Sequence, residues 1–235
     1  MAEPCWESIH KLILTRSKPF KAFSRAVKEN GMLILKQTEN PDLFTFMCRQ
    51  VVSQQLSTKS ALVIWKRVLL LCDSGLELKD LFSGVHQSKL RRCGLSWRKI
   101  RAIQELRISF INDEINVSKV KDSSQTEIKS LVSGFWGFGE WSAEMLLLFY
   151  NRNLDIWSWN DSALKRGAAK AFDGSQEDQE RAIRLFIPYR SIVSLHVWMA
   201  LDKKIIWLSD TKCTLKLKTC IPLSESLRAR EAQIF

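Results

Sequence analysis

The sequence predicts an almost entirely helical protein. Apolar residues recur at intervals of three and four along most of the chain, which is the spacing of one buried helix face. Polar residues that favour helix starts, such as Asp42, precede several of these stretches. No convincing pair of strand patterns occurs before residue 202. We therefore expect an all-α fold of roughly nine or ten helices.

The first third of the chain contains four predicted helices. Residues 6–30 form two short helices that are interrupted near Pro19. Asp42 opens a long helix. A polar interruption at 53–58 separates that helix from a second apolar stripe at 61–72. We expect the two longer helices to pack together.

Helical patterns continue through the rest of the folded region. A stretch of basic and apolar residues at 90–110 contains a turn at Gly94, and its basic residues are also typical of a solvated face. Polar residues at 112–125 predict a loop. Residues 140–150 are apolar on nearly every side, which predicts a buried central helix. After Asp161 we expect three more helices.

The chain after Lys203 loses this periodicity. Residues 205–208 and 214–218 fit either short strands or an irregular tail. We therefore expect a folded domain at residues 1–202, followed by a tail of uncertain structure at 203–235.

Net charge limits the partners that this protein can have. Lys and Arg total 36, Asp and Glu total 25, and the net charge is +11. This balance favours a polyanionic partner, either nucleic acid or an anionic membrane face, and charge alone does not choose between them. No apolar run is long enough to cross a bilayer, and the first residues lack the pattern of a secretory signal. We expect an intracellular protein that does not bind membranes.

The six cysteines and three histidines do not form a metal-binding pattern. No C-x-x-C pair occurs, and the closest cysteines, Cys213 and Cys220, have six residues between them. We expect reduced thiols and no bound metal or cofactor. His196 lies in an apolar stretch and is predicted to be a core histidine.

A glycine turn and an aspartate are the candidate functional motifs. Gly137 and Gly139 allow positive φ, and they would let backbone N–H groups approach a surface anion. A lone G-x-G is a weak signal, and on this stretch alone an ordinary turn between helices is the favoured interpretation. Asp161 directly precedes a predicted helix, where aspartate most often serves as an N-cap.

Three blocks of sequence occur in an order and spacing that coincidence rarely produces. The blocks are R-Q-V-V-S-Q-Q-L-S at 49–57, L-R-R-C-G-L-S-W-R-K at 90–99 and F-W-G-F-G-E-W-S-A at 135–143. Together they resemble the helix-hairpin-helix DNA glycosylases, most closely the 3-methyladenine DNA glycosylase II branch. The first two blocks are similar to that family's I-x-x-Q-Q-x-S and L-R-x-x-G-L-S-x-x-K patterns. The resemblance covers residues 5–201.

The resemblance implies a two-lobed helical fold with the active-site cleft between the lobes. One lobe would span about 43–160 and end in the hairpin and the central helix, and the other would combine 5–42 with 161–202. The partner would be double-stranded DNA that contains alkylated bases. We expect a monomer located in the nucleoid or nucleus.

The resemblance also implies a DNA-binding set. Its members are Gln55, Gly137, Gly139, Ser142, Lys165 and Arg190. The glycines would bind phosphates through backbone amides, and Ser142 would add a donor at the next helix start. Gln55 would fill the gap left by a flipped nucleotide, although a polar helix end explains it too. A solvated face is equally consistent for the two basic residues.

Asp161 matches the essential aspartate of the family. Cleavage of an N-glycosidic bond passes through a transition state with oxocarbenium character, so an ionised carboxylate beside the sugar would stabilise its positive charge. The carboxylate could also accept a proton from the attacking water. A helix that starts at Ser162 would favour the ionised form through its dipole. The N-cap role is compatible with this chemistry.

The base pocket implied by the resemblance is largely apolar and aromatic. Its candidate residues are Gln54, Trp141, Met145 and Trp198. Trp141 stands where bifunctional members of the superfamily have a lysine, so no amine nucleophile is offered. An indole face suits a cationic alkylated purine through cation–π attraction. The alternative is that the tryptophans and Met145 are core residues.

The predicted function is that of a monofunctional DNA glycosylase of the 3-methyladenine II type, without lyase activity. It would flip alkylated purines, with 3-methyladenine first and 7-methylguanine second, and leave an abasic site in base excision repair. The bulky Trp136 and Trp159 would restrict the pocket to a small lesion. The alternative is a non-catalytic protein that binds damaged or distorted DNA, and Asp161 favours the enzyme.

Overall fold

The computed structural model describes residues 4–35, 42–72, 75–115 and 117–205. These ranges contain thirteen α-helices, one π-helical segment and no strand, which confirms the predicted all-α class. The predicted tail from residue 206 onward, including the candidate strand at 214–218, lies outside the described residues.

The helices are numbered in chain order. They are α1 (Trp6–Ser17), α2 (Lys21–Asn30), α3 (Leu43–Ser53), α4 (Thr58–Cys72), α5 (Leu78–Leu81), α6 (Gln87–Cys93), α7 (Trp97–Ile111), α8 (Val117–Val120), α9 (Gln125–Ser133), α10 (Glu140–Met145), α11 (Ser162–Ala171), α12 (Gln176–Arg184) and α13 (Arg190–Asp202). The π-helical segment is Leu146–Tyr150 and continues α10. The described helices outnumber the predicted nine or ten in part because α5 and α8, with four residues each, are too short to show a period.

Side-chain caps explain several of the helix starts. Asp42 accepts a hydrogen bond from the backbone N–H of Thr45 at 3.0 Å, which confirms the predicted start of α3. Ser124 opens α9 with a reciprocal capping box to Glu127. The predicted loop at 112–125 was wrong in part because Val120 is buried and ends the short helix α8.

The predicted central helix changes its hydrogen-bond pattern half-way along. After α10, the N–H of Asn151 donates to the carbonyl of Leu146 at 3.0 Å, five residues back. Every residue from Ser142 to Tyr150 is buried, so the segment is the core element that its composition predicts.

Residue contacts divide the described chain into two compact units. The hairpin unit comprises the described residues between 42 and 151, and the aspartate unit comprises 4–35 and 152–205. In the hairpin unit, α3 packs against α4, as predicted, and also against α7 and the π-helical segment.

The aspartate unit has an aromatic core. The Phe23 ring lies with its centroid 4.9 Å from that of Phe172 and 5.3 Å from that of Phe186. All three rings are almost completely buried. They join α2 to the ends of α11 and α12, while α13 packs against both α2 and α11. This packing places Asp161, at the start of α11, on a well-supported helix.

Candidate functional site

The hairpin connects α9 to α10 in the hairpin unit. Gly137 has a φ of 86°, in the left-handed region that the sequence predicts for it. A Cβ added there would lie 2.8 Å from the Cβ of Ala102 on α7. Gly139 differs from the prediction because its φ is −140°, which is extended backbone, and an added Cβ would meet nothing within 4 Å. The turn therefore requires Gly137, whereas Gly139 leaves open space beside the first residue of α10.

Gln54 holds this hairpin through its side chain. Its Nε2 donates to the carbonyl of Gly137 at 3.1 Å and to the Oγ of Ser142 at 3.4 Å. Ser142 is 1% exposed, so its hydroxyl faces protein and is not the surface donor expected from the sequence. Gln54 and Ser142 thus brace the hairpin.

Two further contacts stabilise the hairpin. The guanidinium of Arg101 lies 4.5 Å from the centre of the Trp136 ring, a cation–π distance. The Nζ of Lys129 on α9 lies 2.7 Å from Glu140 and 3.3 Å from Glu144 on α10. Burial acts to lower the pKa of Lys129, but the two carboxylates outweigh it and the net pKa is raised.

The turn after α3 presents Gln55. This residue is exposed and has a φ of 57°, which is uncommon for a residue other than glycine. The Nζ of Lys99 donates to the carbonyls of Val52 and Gln54 at 2.7 and 2.9 Å. Burial lowers the pKa of Lys99. This lysine ends the second sequence block, whose pattern alone indicates no role for it.

Trp141 and Met145 lie one helical turn apart on α10. Trp141 is partly exposed and can present part of its indole face. Met145 is 1% exposed, so it lies in the core, which is the alternative that the sequence left open.

Asp161 is the N-cap of α11, as the residue pattern predicts. Its Oδ1 accepts a hydrogen bond from the backbone N–H of Leu164 at 2.7 Å and a second from the Nε1 of Trp198 at 3.1 Å. Trp198 comes from α13 and is 3% exposed. Two donors on one oxygen hold the carboxylate in a defined orientation. The structure therefore makes Trp198 a partner of Asp161, which the sequence did not reveal.

An aromatic pair precedes Asp161. The rings of Trp157 and Trp159 meet edge to face with centroids 5.5 Å apart. Trp157 is 8% exposed, and its buried Nε1 has no hydrogen-bond partner within the described part of the chain. Trp159 is partly exposed.

The two predicted basic contacts have different surroundings. Lys165 is exposed on the first turns of α11. Arg190 is ion-paired with Asp155, with Nε to Oδ1 at 2.7 Å and Nη2 to Oδ2 at 2.9 Å. This bidentate pair attaches the start of α13 to the segment before Asp161, so Arg190 has a structural role in addition to any surface role.

His196 is fully buried, as expected for a core histidine. The Nδ2 of Asn30 lies 3.4 Å from the Nδ1 of His196 and donates to the backbone carbonyl of His196 at 3.0 Å. Burial, with smaller effects from His10 and Lys203, lowers the pKa of His196 to about 3. The described residues include no group of three or more side chains able to hold a metal. No described helix is both long and apolar enough to cross a membrane.

Both the curated and the solved proteins that resemble this chain include proteins named for 3-methyladenine in DNA. No family model matches the chain. Over 164 residues it is 29% identical to a Saccharomyces cerevisiae protein named DNA-3-methyladenine glycosylase, covering 65% of this chain and 55% of that protein. The chain thus spans about half the length of that curated relative.

Two solved structures share the fold. A DNA-3-methyladenine glycosidase from Bacillus halodurans has a TM-score of 0.62 and 26% identity, over 80% of this chain and 88% of that one. A 3-methyladenine DNA glycosylase from Schizosaccharomyces pombe, in complex with abasic DNA, has a TM-score of 0.70 and 21% identity, over 86% and 100%. The chain is therefore a homologue of proteins named DNA-3-methyladenine glycosylase and has the helix-hairpin-helix fold of that family.

Proposed function

We propose that this protein is a monofunctional DNA N-glycosylase that hydrolyses the N-glycosidic bond of alkylated purines and leaves an abasic site. One observation carries the proposal: the carboxylate of Asp161 is held by two hydrogen bonds at the start of a helix, at the position that matches the essential aspartate of the family. The homology to proteins named DNA-3-methyladenine glycosylase supports the same activity.

The proposed chemistry needs one carboxylate. As the bond from C1′ to the base nitrogen breaks, both of its electrons leave with the base, and positive charge develops on the sugar. Asp161 stabilises that charge and accepts a proton from the water that attacks C1′. An alkylated purine such as 3-methyladenine is cationic in DNA and departs neutral, so the step requires no general acid.

DNA binding is proposed for backbone groups of the hairpin. Gly139 has no side chain in front of the start of α10, so a phosphate can approach the N–H groups there. Exposed Lys165 is a further candidate contact, and the net charge of +11 favours association with DNA. Exposed Gln55 is the proposed wedge that replaces the flipped nucleotide.

Absence of lyase activity is proposed from Trp141. A lysine at this position would attack C1′ and lead to strand cleavage, whereas an indole cannot form that covalent intermediate. The partly exposed indole is instead proposed to face the cationic base. The assignment to the 3-methyladenine II type, with 7-methylguanine as a second substrate, belongs to the same proposal.

The test compares wild type with Asp161→Asn on methylated duplex DNA. Asparagine is as good an N-cap as aspartate, so the variant is expected to fold while losing the charge. We expect the wild type to release free 3-methyladenine, with strand breaks only after alkali, and the variant to be slower by at least about 100-fold. Borohydride should trap no covalent complex with the wild type.

Three outcomes would count against the proposal. Equal release by both proteins would remove Asp161 from the catalytic role. Strand breaks without alkali, or a trapped complex, would contradict monofunctional chemistry. Tight binding of damaged DNA without any base release would identify a binding protein instead.

A further inference from the structure

Lys99 lies where carbonyl groups at the end of α3 converge. Its Nζ donates to the carbonyl of Val52 at 2.7 Å and to that of Gln54 at 2.9 Å. The last carbonyls of a helix lack partners within the helix, and a cation near that end also interacts favourably with the helix dipole. Lys99 is half-buried, and its ammonium makes both bonds to the backbone of its own chain. Lys99 therefore caps the C-terminal end of α3.

A chain of contacts leads from Lys99 to the hairpin. Lys99 binds the backbone of Gln54, and the side chain of Gln54 binds the carbonyl of Gly137 and the hydroxyl of Ser142. The lysine comes from the first turn of α7, whose Ala102 packs directly under Gly137. The turn after α3 and the hairpin thus share α7 as their support.

Gln55 follows directly after this clamped residue. Its φ of 57° is strained for a residue that is not glycine, because the Cβ then lies too close to a backbone oxygen. Such a conformation persists only when its surroundings fix the neighbouring backbone. Lys99 fixes this neighbouring backbone through its hydrogen bond to the carbonyl of Gln54.

We propose that Lys99 is a positioning residue that holds the turn at Gln54 and Gln55 so that Gln55 can enter the DNA stack when a nucleotide is flipped. The inference rests on the proposed function, because it assigns Lys99 to the base-flipping step of that reaction. Lys99 acts through the backbone of Gln54. Its removal should therefore impair flipping and excision while leaving the binding of undamaged DNA almost unchanged.

Arg98, the residue before Lys99, has different surroundings. Arg98 is exposed, so any contribution that it makes to DNA binding is electrostatic and depends on salt. The charge of Lys99 faces two carbonyls of its own chain. Loss of Lys99 should accordingly leave the salt dependence of DNA binding as it is in the wild type.

The test uses Lys99→Met, which keeps the length of the side chain and removes its donors. Two duplexes are needed: one with a single 3-methyladenine, and one with 2-aminopurine beside a tetrahydrofuran abasic analogue. With the variant we expect single-turnover excision to fall by at least about tenfold, and the 2-aminopurine fluorescence rise on binding to be largely lost. The Kd for undamaged duplex should stay within about twofold of the wild type.

A matched control lies at the other end of the same two helices. Lys79 places its Nζ 5.9 Å from the ring of Phe44, at the start of α3, and 5.7 Å from that of Phe110, at the end of α7. Lys79 itself lies on α5. Lys79→Met therefore removes a lysine that contacts both α3 and α7 at the end away from the turn. Its excision rate and fluorescence rise should remain within about twofold of the wild type.

A double-mutant comparison separates positioning from general destabilisation. If Lys99 acts through Gln55, then adding Lys99→Met to Gln55→Ala should slow excision by less than about twofold further. The proposal would be overturned if the double variant lost the product of the two single-variant losses in excision rate. It would also be overturned by an unchanged excision rate in Lys99→Met or by an equal loss in Lys79→Met. A wild type that excises no base refutes the proposed function, while the abasic-analogue duplex still decides the role of Lys99. No fluorescence rise even with wild type would refute that role.

Discussion

The hairpin and the aspartate corner present their functional groups in opposite ways. At the hairpin the groups proposed to bind phosphate belong to the backbone, whose conformation depends on Gly137 and Gly139. At the corner a single side chain, Asp161, carries the proposed chemistry. The function proposed for the hairpin therefore depends on backbone conformation, whereas the function proposed for the corner depends on the charge and orientation of one carboxylate.

The two regions also differ in the kind of contact that supports them. The hairpin is braced by the side chains of Gln54, just after α3, Arg101 on α7 and Lys129 on α9. The carboxylate of Asp161 accepts hydrogen bonds on one oxygen from the backbone N–H of Leu164 and the Nε1 of Trp198. Loss of a brace should therefore alter the backbone of the hairpin, whereas loss of a donor should alter the orientation of the carboxylate itself.

The largest expected effect comes from Gly137→Ala. Alanine would have to adopt a φ of 86°, and its Cβ would lie 2.8 Å from that of Ala102. We expect a loss of about 2–4 kcal/mol in the free energy of unfolding, from backbone strain and overpacking together. Urea denaturation monitored by circular dichroism measures this loss.

Gly139→Ala is the matched control. Its backbone is extended and the space beside it is open, so stability should change by no more than about 0.5 kcal/mol. The added methyl group should nevertheless weaken the binding of undamaged duplex, because it lies where the phosphate is proposed to approach. Equal stability losses in both variants would show that the two glycines have the same structural role, contrary to their geometries.

A smaller effect is expected from Trp198→Phe. Phenylalanine lacks the N–H that donates to Asp161 at 3.1 Å, while the backbone N–H of Leu164 still donates to the carboxylate. We expect kcat to fall by about tenfold and KM to change by less than about threefold. A raised KM with an unchanged kcat would instead support the base-pocket role predicted from the sequence.

Trp157→Phe controls for the loss of an indole from the same unit. Trp157 is also buried, but its Nε1 has no partner among the described residues. Both variants should lose similar stability, on the order of 1–2 kcal/mol, because both remove a similar volume from the interior. We expect kcat to fall in Trp198→Phe and to stay near the wild-type value in Trp157→Phe.

The last expected effect appears only at low pH and concerns the acid stability of the aspartate unit. His196 lies on α13 with Trp198, and burial lowers its pKa from 6.5 to about 3. The unfolded chain therefore binds more protons than the folded chain between these values, so stability is lost as pH falls from 6.5 toward about 3. The loss is at most about 1.4 kcal/mol for each pH unit. His196→Gln cannot titrate, so its unfolding free energy should fall less steeply over this range; identical slopes would exclude His196 as the cause.

Local patterns were sufficient for much of this fold. The starts of α3 and α11 were predicted because Asp42 and Asp161 form their capping bonds within three residues. The burial of the stretch at 140–150 followed from its composition. The same local reasoning missed α8, which has four residues, and it expected a positive φ at Gly139 because glycine identity alone does not choose a backbone region.

Sequence could place the hairpin glycines and the aspartate along the chain, because turns and caps depend on neighbours within one helical turn. The partners of these groups come from distant positions. Trp198 is 37 residues from Asp161, Gln54 is 83 from Gly137, and Lys99 is 45 from the carbonyl that it binds. These pairings arise only when the helices pack, because packing alone selects which buried donor faces which acceptor.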